Sequence, residues 1–178
     1  MSNTQHPNLA FIGAGNMARS IIGGLVQEGY PAERIRASDL NGDALEQLSR
    51  DFGIGTGENA AVAEWAEVVV LAVKPQVMKT VTEALRPSLA HHPLLISIAA
   101  GIDGASLSRW LGEDQAIVRC MPNTPALVKT GASGLHANRH TSGAQREQAE
   151  QILGAVGTVQ WLEEEQLMDA VTAVSGSG

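Results

Sequence analysis

Near its start the chain reads Gly13-Ala14-Gly15-Asn16-Met17-Ala18. A Gly-x-Gly-x-x-Ala pattern does its chemistry through the backbone. Gly13 permits a tight turn, Gly15 lets amides come close to an anion, and Ala18 is small enough for a helix to pack. The helix that follows presents unpaired N–H donors and positive partial charge at its first turn. Such a loop implies binding of a dinucleotide pyrophosphate when a strand precedes it and an amphipathic helix follows. Residues 8–12 are an apolar run, and Met17, Ile21, Ile22 and Leu25 recur at helical spacing, so both conditions are met.

Asp39 lies 21 residues beyond Ala18, at the end of the expected second strand. A carboxylate there accepts hydrogen bonds from the ribose hydroxyls of NAD and repels the 2′-phosphate of NADP. The competing reading is a turn residue ahead of Asn41-Gly42. Ala72-Val73-Lys74-Pro75 lies at the carboxyl end of an expected central strand, and ligands of open α/β sheets sit outside the carboxyl ends of strands. Lys74 could face a phosphate or carry only a solvated charge. Met121-Pro122-Asn123-Thr124-Pro125 follows another strand. Its prolines fix the backbone around two polar side chains, and taken alone it reads as a rigid connecting loop. Cys120 sits in an apolar run, reads as a small buried thiol, and has no partner base at useful spacing. His91 and His92 are adjacent in a loop without companion Cys or Glu, so no metal site is expected. No residue stands out as a catalytic acid or base.

Those residues need a parallel sheet with helices between its strands. Strands are expected at residues 8–12, 34–38, 67–73, 93–99, 115–121 and 156–162, with at most a short one in 51–57. The run Val68-Val69-Val70-Leu71-Ala72-Val73 has the continuous β-branched character of a strand buried on both faces. Helices are expected from Asn16 to a stop at Gly29, after Asn41-Gly42, at 59–66, from Pro75 onward, and at 143–155. In the helix after Pro75, the residues expected to face the core are Val77, Val81, Ala84 and Leu85. The fold class is α/β, a Rossmann-type, doubly wound, mostly parallel sheet. Glu163-Glu164-Glu165 breaks the composition, and 167–174 reads as the start of a new helix.

Composition narrows the function. The 178 residues carry a net charge of −7 and only 3% aromatics, with no basic stripe, which argues against nucleic-acid binding. No apolar run approaches membrane-spanning length, and residues 1–7 are polar. The single cysteine excludes an intrachain disulfide and fits a cytoplasmic protein.

Five segments together resemble one family, the pyrroline-5-carboxylate reductases. They are Phe11-Ile12-Gly13-Ala14-Gly15-Asn16-Met17-Ala18, Leu71-Ala72-Val73-Lys74-Pro75, Ser97-Ile98-Ala99-Ala100-Gly101, Arg119-Cys120-Met121-Pro122-Asn123-Thr124-Pro125, and Val174-Ser175-Gly176-Ser177-Gly178. The resemblance implies reduction of the cyclic imine 1-pyrroline-5-carboxylate to L-proline, with NADP or NAD as cofactor. It implies that Ile12, Gly13, Ala14, Gly15, Asn16 and Met17 hold the pyrophosphate. Asn59, Ala72, Val73, Lys74 and Pro75 would line the adenosine and ribose side, and Ile98, Ala99 and Ala100 would lie near the nicotinamide. It also implies two units. Residues 1–163 would form the dinucleotide domain, and 164–178 would begin a helical dimerisation and substrate domain, truncated here. On that reading the full-length form is a homo-oligomer, and the isolated chain binds cofactor without turnover. Asp39 departs from the family, which often has a small polar residue there, and so leaves the NADP preference open. The other readings are the cofactor half of a hydroxyacid dehydrogenase or imine reductase, or a nucleotide-sensing module without catalysis.

Overall fold

The computed structural model describes residues 6–122 and 131–168. The first strand, β1 (Leu9–Ile12), is wholly buried and runs into the glycine loop. Helix α1 (Asn16–Gln27) follows, burying Ala18, Ile21, Ile22 and Leu25. Then come β2 (Ile35–Ser38), α2 (Gly42–Phe52), the two-residue β3 (Gly55–Thr56) and α3 (Asn59–Trp65). The expected central strand is β4 (Val68–Leu71), buried throughout, and α4 (Pro75–Leu85) opens with its proline in the first turn, where no N–H is missed. The remaining elements are β5 (Leu94–Ser97), α5 (Gly104–Leu111), β6 (Ile117–Pro122), β7 (Gly131–Ala137), α6 (Gly143–Leu153) and β8 (Gly157–Trp161).

All eight strands form one sheet in the order β3-β2-β1-β4-β5-β6-β7-β8. Every pairing is parallel except β6 with β7. Strand order therefore reverses between β1 and β4, and the crevice outside their carboxyl ends is where a doubly wound sheet takes a ligand. Alternation along β1 divides the core in two. Leu9 and Phe11 join the α1 and α6 side, while Ala10 and Ile12 pack with Met78, Leu85, Leu107 and Leu111. Each fully buried Val or Leu of β4 contributes about 1.5–3 kcal/mol through removal of apolar surface from water.

The structure corrects the sequence reading in three places. Along α4 the buried residues are Met78, Thr82 and Leu85, and Val77 is 46% exposed. Thr82 tolerates burial because its hydroxyl donates to the Met78 carbonyl at 2.6 Å. The expected core positions Val77 and Ala84 instead point outward. Helix α5 was not expected, because it is short and Gly- and Ser-rich. Its one local signal is Asp103, whose carboxylate accepts from the Ser106 amide at 2.8 Å as a helix cap. Strand β7 was also not expected. Gly131-Ala132-Ser133-Gly134-Leu135-His136-Ala137 has weak strand propensity, and it is held extended by β6 on one side and β8 on the other. Asn123, Thr124 and Pro125, most of the expected helix 167–174, and residues 175–178 lie outside the described residues.

Candidate dinucleotide site

Register puts the candidate residues in a single row. Ile12 pairs with Ser38 and with Leu71, and Leu71 pairs with Ser97. The next residues along, Gly13, Asp39, Ala72 and Ile98, thus leave their strands at the same edge of the sheet. Backbone hydrogen bonds tie them together. The Gly13 amide donates to the Ser38 carbonyl at 2.8 Å, the Ala72 amide to Ile12 at 2.8 Å, and the Ile98 amide to Leu71 at 3.2 Å.

Within this row the glycine loop lies flat against the backbone after β4. Gly13 has φ +110°, and a Cβ built there would sit 2.7 Å from the Ala72 carbonyl oxygen. No side chain caps α1, and its first turn holds no acidic residue. Gly15 and Asn16 are exposed, and a Cβ at Gly15 would meet no atom within 4 Å. The arrangement is an open cradle over uncapped amides, and it fits a pyrophosphate in shape and in sign.

Asp39 closes one side of the cradle. One carboxylate oxygen accepts from the Ala14 amide at 2.7 Å, and the other accepts from the Asn41 amide at 2.8 Å. Each oxygen keeps a further lone pair for a ligand hydroxyl. The ribose and turn readings of Asp39 are thus compatible, since the carboxylate organises the turn and still borders the crevice. Leu40, next in sequence, is fully exposed. Beneath it the buried Ser38 donates its hydroxyl to the Asn59 side-chain oxygen at 2.5 Å, so Asn59 is oriented from β2. Ser38 carries no motif, and its position at the last residue of β2 was its only signal. Lys74 is exposed at the N-cap position of α4, next to Pro75. Ala99 is buried and Ile98 half-buried, while Ala100 faces solvent.

Arg119 belongs to β6, and its side chain is 6% exposed. Its Nη1 donates to Glu165 Oε1 at 2.9 Å, a pairing that sequence does not signal, because Glu165 belongs to an acidic run that reads only as a compositional break. Cys120 is buried, and burial pushes its thiol up to about 12, although a hydrogen bond with Ser133 acts in the opposite direction. At pH 8 the folded protein is expected to give no rapid reaction with a chromogenic disulfide reagent, and one thiol per chain after denaturation. A fast native reaction would show that β6 opens readily.

A glycine loop at the switch point of a doubly wound sheet, above an uncapped helix, defines a Rossmann-type nucleotide-binding domain. The chain belongs to the family described as NADP oxidoreductase, coenzyme F420-dependent, whose model matches residues 8–101. It is 57% identical over 173 residues to the pyrroline-5-carboxylate reductase of Pseudomonas aeruginosa, covering 97% of this chain and 63% of that one. It superposes on a pyrroline-5-carboxylate reductase from Coxiella burnetii with a TM-score of 0.95 and 42% identity, covering 98% of this chain and 65% of that one. A Plasmodium falciparum pyrroline carboxylate reductase with NADP bound matches with a TM-score of 0.85 and 26% identity, over 97% of this chain and 63% of that one. The chain thus spans just under two thirds of the length of these relatives. Among the described residues no helix is long and apolar enough to cross a membrane.

Proposed function

We propose that this chain supplies the dinucleotide-binding part of an oxidoreductase that reduces 1-pyrroline-5-carboxylate to L-proline with NADH or NADPH. The observation that carries the reading is the row of strand ends at the β1–β4 switch point, with the Gly13 backbone against Ala72 and the α1 amides uncapped. The relatives' names supply the substrate. In this reading Ile12, Gly13, Ala14, Gly15, Asn16 and Met17 receive the pyrophosphate. Asp39 and Asn59, with Ala72, Val73, Lys74 and Pro75, border the adenosine and its ribose. Ile98, Ala99 and Ala100 border the nicotinamide. The bound cofactor would supply a hydride. The chain's own work is to hold it in one orientation and to keep water off its reacting face.

Residues 1–163 act as the dinucleotide unit, and the segment from 164 belongs to a helical unit that serves substrate and subunit contacts. The working form is a cytoplasmic homo-oligomer. Titration with NADH and with NADPH, followed by nicotinamide fluorescence, tests the cofactor half of the proposal. Saturable binding of at least one in the micromolar range is the expected result. Oxidation of the bound cofactor on addition of 1-pyrroline-5-carboxylate by the full polypeptide tests the substrate half. Binding of neither nucleotide would falsify the assignment of the crevice.

A further inference from the structure

The side chain of Glu165 reaches back from beyond β8 to β6, two strands away in the sheet, and to the start of α5. One oxygen, Oε1, accepts from Arg119 Nη1 at 2.9 Å and from the Gly104 amide at 2.5 Å. Gly104 is the first residue of α5, and a Cβ there would lie 3.2 Å from the Glu165 carboxylate, tighter than ordinary contact. A side chain at 104 would thus press on the carboxylate and shift it by a few tenths of an ångström. Helix α5 is anchored twice at this end, since Asp103 separately holds the Ser106 amide. Arg119 and Glu165 also line two clefts of about 340 Å³ each, one of which takes in Gly101 and Asp103.

Residues 98–103 join β5 to α5, so both ends of this loop are fixed. The β5 end is fixed by the sheet and the α5 end by the Glu165–Arg119 pair. A buried guanidinium holding a carboxylate that holds a helix start is a directional connection. It runs from the segment after β8, with β6 as the anchor of its carboxylate, directly to the α5 end of the loop that carries Ile98, Ala99 and Ala100.

We propose that Glu165, held by Arg119, is a positioning residue for the nicotinamide half of the dinucleotide, acting through the Gly104 amide on the β5–α5 loop. The inference rests on the functional reading above, in which that loop borders the nicotinamide. It goes further by coupling the segment after β8 to cofactor geometry. The adenosine half, at Gly13, Asp39 and Asn59, lies just after β1 and β2 and at the start of α3, away from the Glu165 hydrogen bonds to Gly104 and Arg119.

The two halves can be read separately. ADP-ribose lacks only the nicotinamide ring and so probes the adenosine, pyrophosphate and ribose contacts, whereas the preferred reduced dinucleotide probes the ring contacts as well. In Glu165→Ala the dissociation constant for ADP-ribose should stay within about twofold, while that for the dinucleotide rises on the order of tenfold and its fluorescence enhancement falls. Glu165→Gln keeps an acceptor for the Gly104 amide and loses the charge toward Arg119, so it should fall between wild type and Glu165→Ala. It also serves if the alanine variant fails to fold. Equal weakening of both ligands, no weakening of either, or unfolding of both variants overturns the proposal and leaves Glu165 a purely structural residue. Wild-type binding of neither ligand overturns the functional reading together with this one. Normal wild-type binding with an unselective variant overturns this one alone.

Discussion

Alanine at Gly15 is expected to weaken dinucleotide binding by about 10–100-fold, or roughly 1.4–2.8 kcal/mol, with the unfolding midpoint unchanged. Alanine at Gly13 is expected to do the reverse and destabilise the fold itself by about 3–5 kcal/mol. The contrast follows from what surrounds each residue. Gly15 has φ −79° and ψ −170°, which any residue adopts, and a Cβ there meets nothing in the protein. The emptiness is useful only to something that enters from outside, namely an anion approaching the α1 amides. Gly13 has φ +110°, and its Cβ would fall on the Ala72 carbonyl, which cannot retreat because the Ala72 amide is bonded to Ile12. A loss of that size is a large share of a typical domain's 5–15 kcal/mol. Chemical denaturation and a fluorescence titration on both variants check the pair. If Gly15→Ala binds as wild type does, the cradle is not where the pyrophosphate sits.

Removing the charge of Asp39 is expected to shift nucleotide preference toward NADPH. In Asp39→Asn the NADPH dissociation constant should fall on the order of tenfold relative to that for NADH. Two like charges about 5 Å apart at an effective dielectric near 20 repel by about 3 kcal/mol, and solvent at the crevice mouth reduces this. Asparagine retains one acceptor, so the Ala14 or the Asn41 amide loses its partner and the loop loosens slightly. That cost falls on both nucleotides alike, which makes the ratio of the two constants the informative quantity. The wild-type chain should accordingly favour NADH. Markedly tighter NADPH binding by wild type, or an unchanged ratio in the variant, would remove Asp39 from nucleotide selection and leave it a turn residue.

Much of the fold is legible in local sequence because local sequence is what specifies it. Val68 to Leu71 announces a strand buried on both faces, and all four residues are buried. Pro75 and Asn41 mark helix starts through chemistry confined to a single turn. The failures are equally physical. Thr82 reads as surface until its hydroxyl is seen bonded to Met78. Strand β7 has little propensity of its own and exists because two neighbours supply its hydrogen bonds.

The candidate site divides in the same way. The sequence alone determined that a glycine loop follows the first strand and opens a helix, and that Asp39, Ala72 and Ile98 follow later strands, because strand ends and helix starts are short-range events. The tertiary structure decided that these residues share one row, since strand register is set between chains of residues far apart in sequence. It alone placed the Asp39 carboxylate on the Ala14 amide, Ser38 beneath Asn59, and Glu165 between Arg119 and Gly104. Each of these is a polar contact across the sheet's carboxyl edge or onto its face. No periodicity encodes such a contact. It exists only once the sheet has brought its donors and acceptors within hydrogen-bond reach.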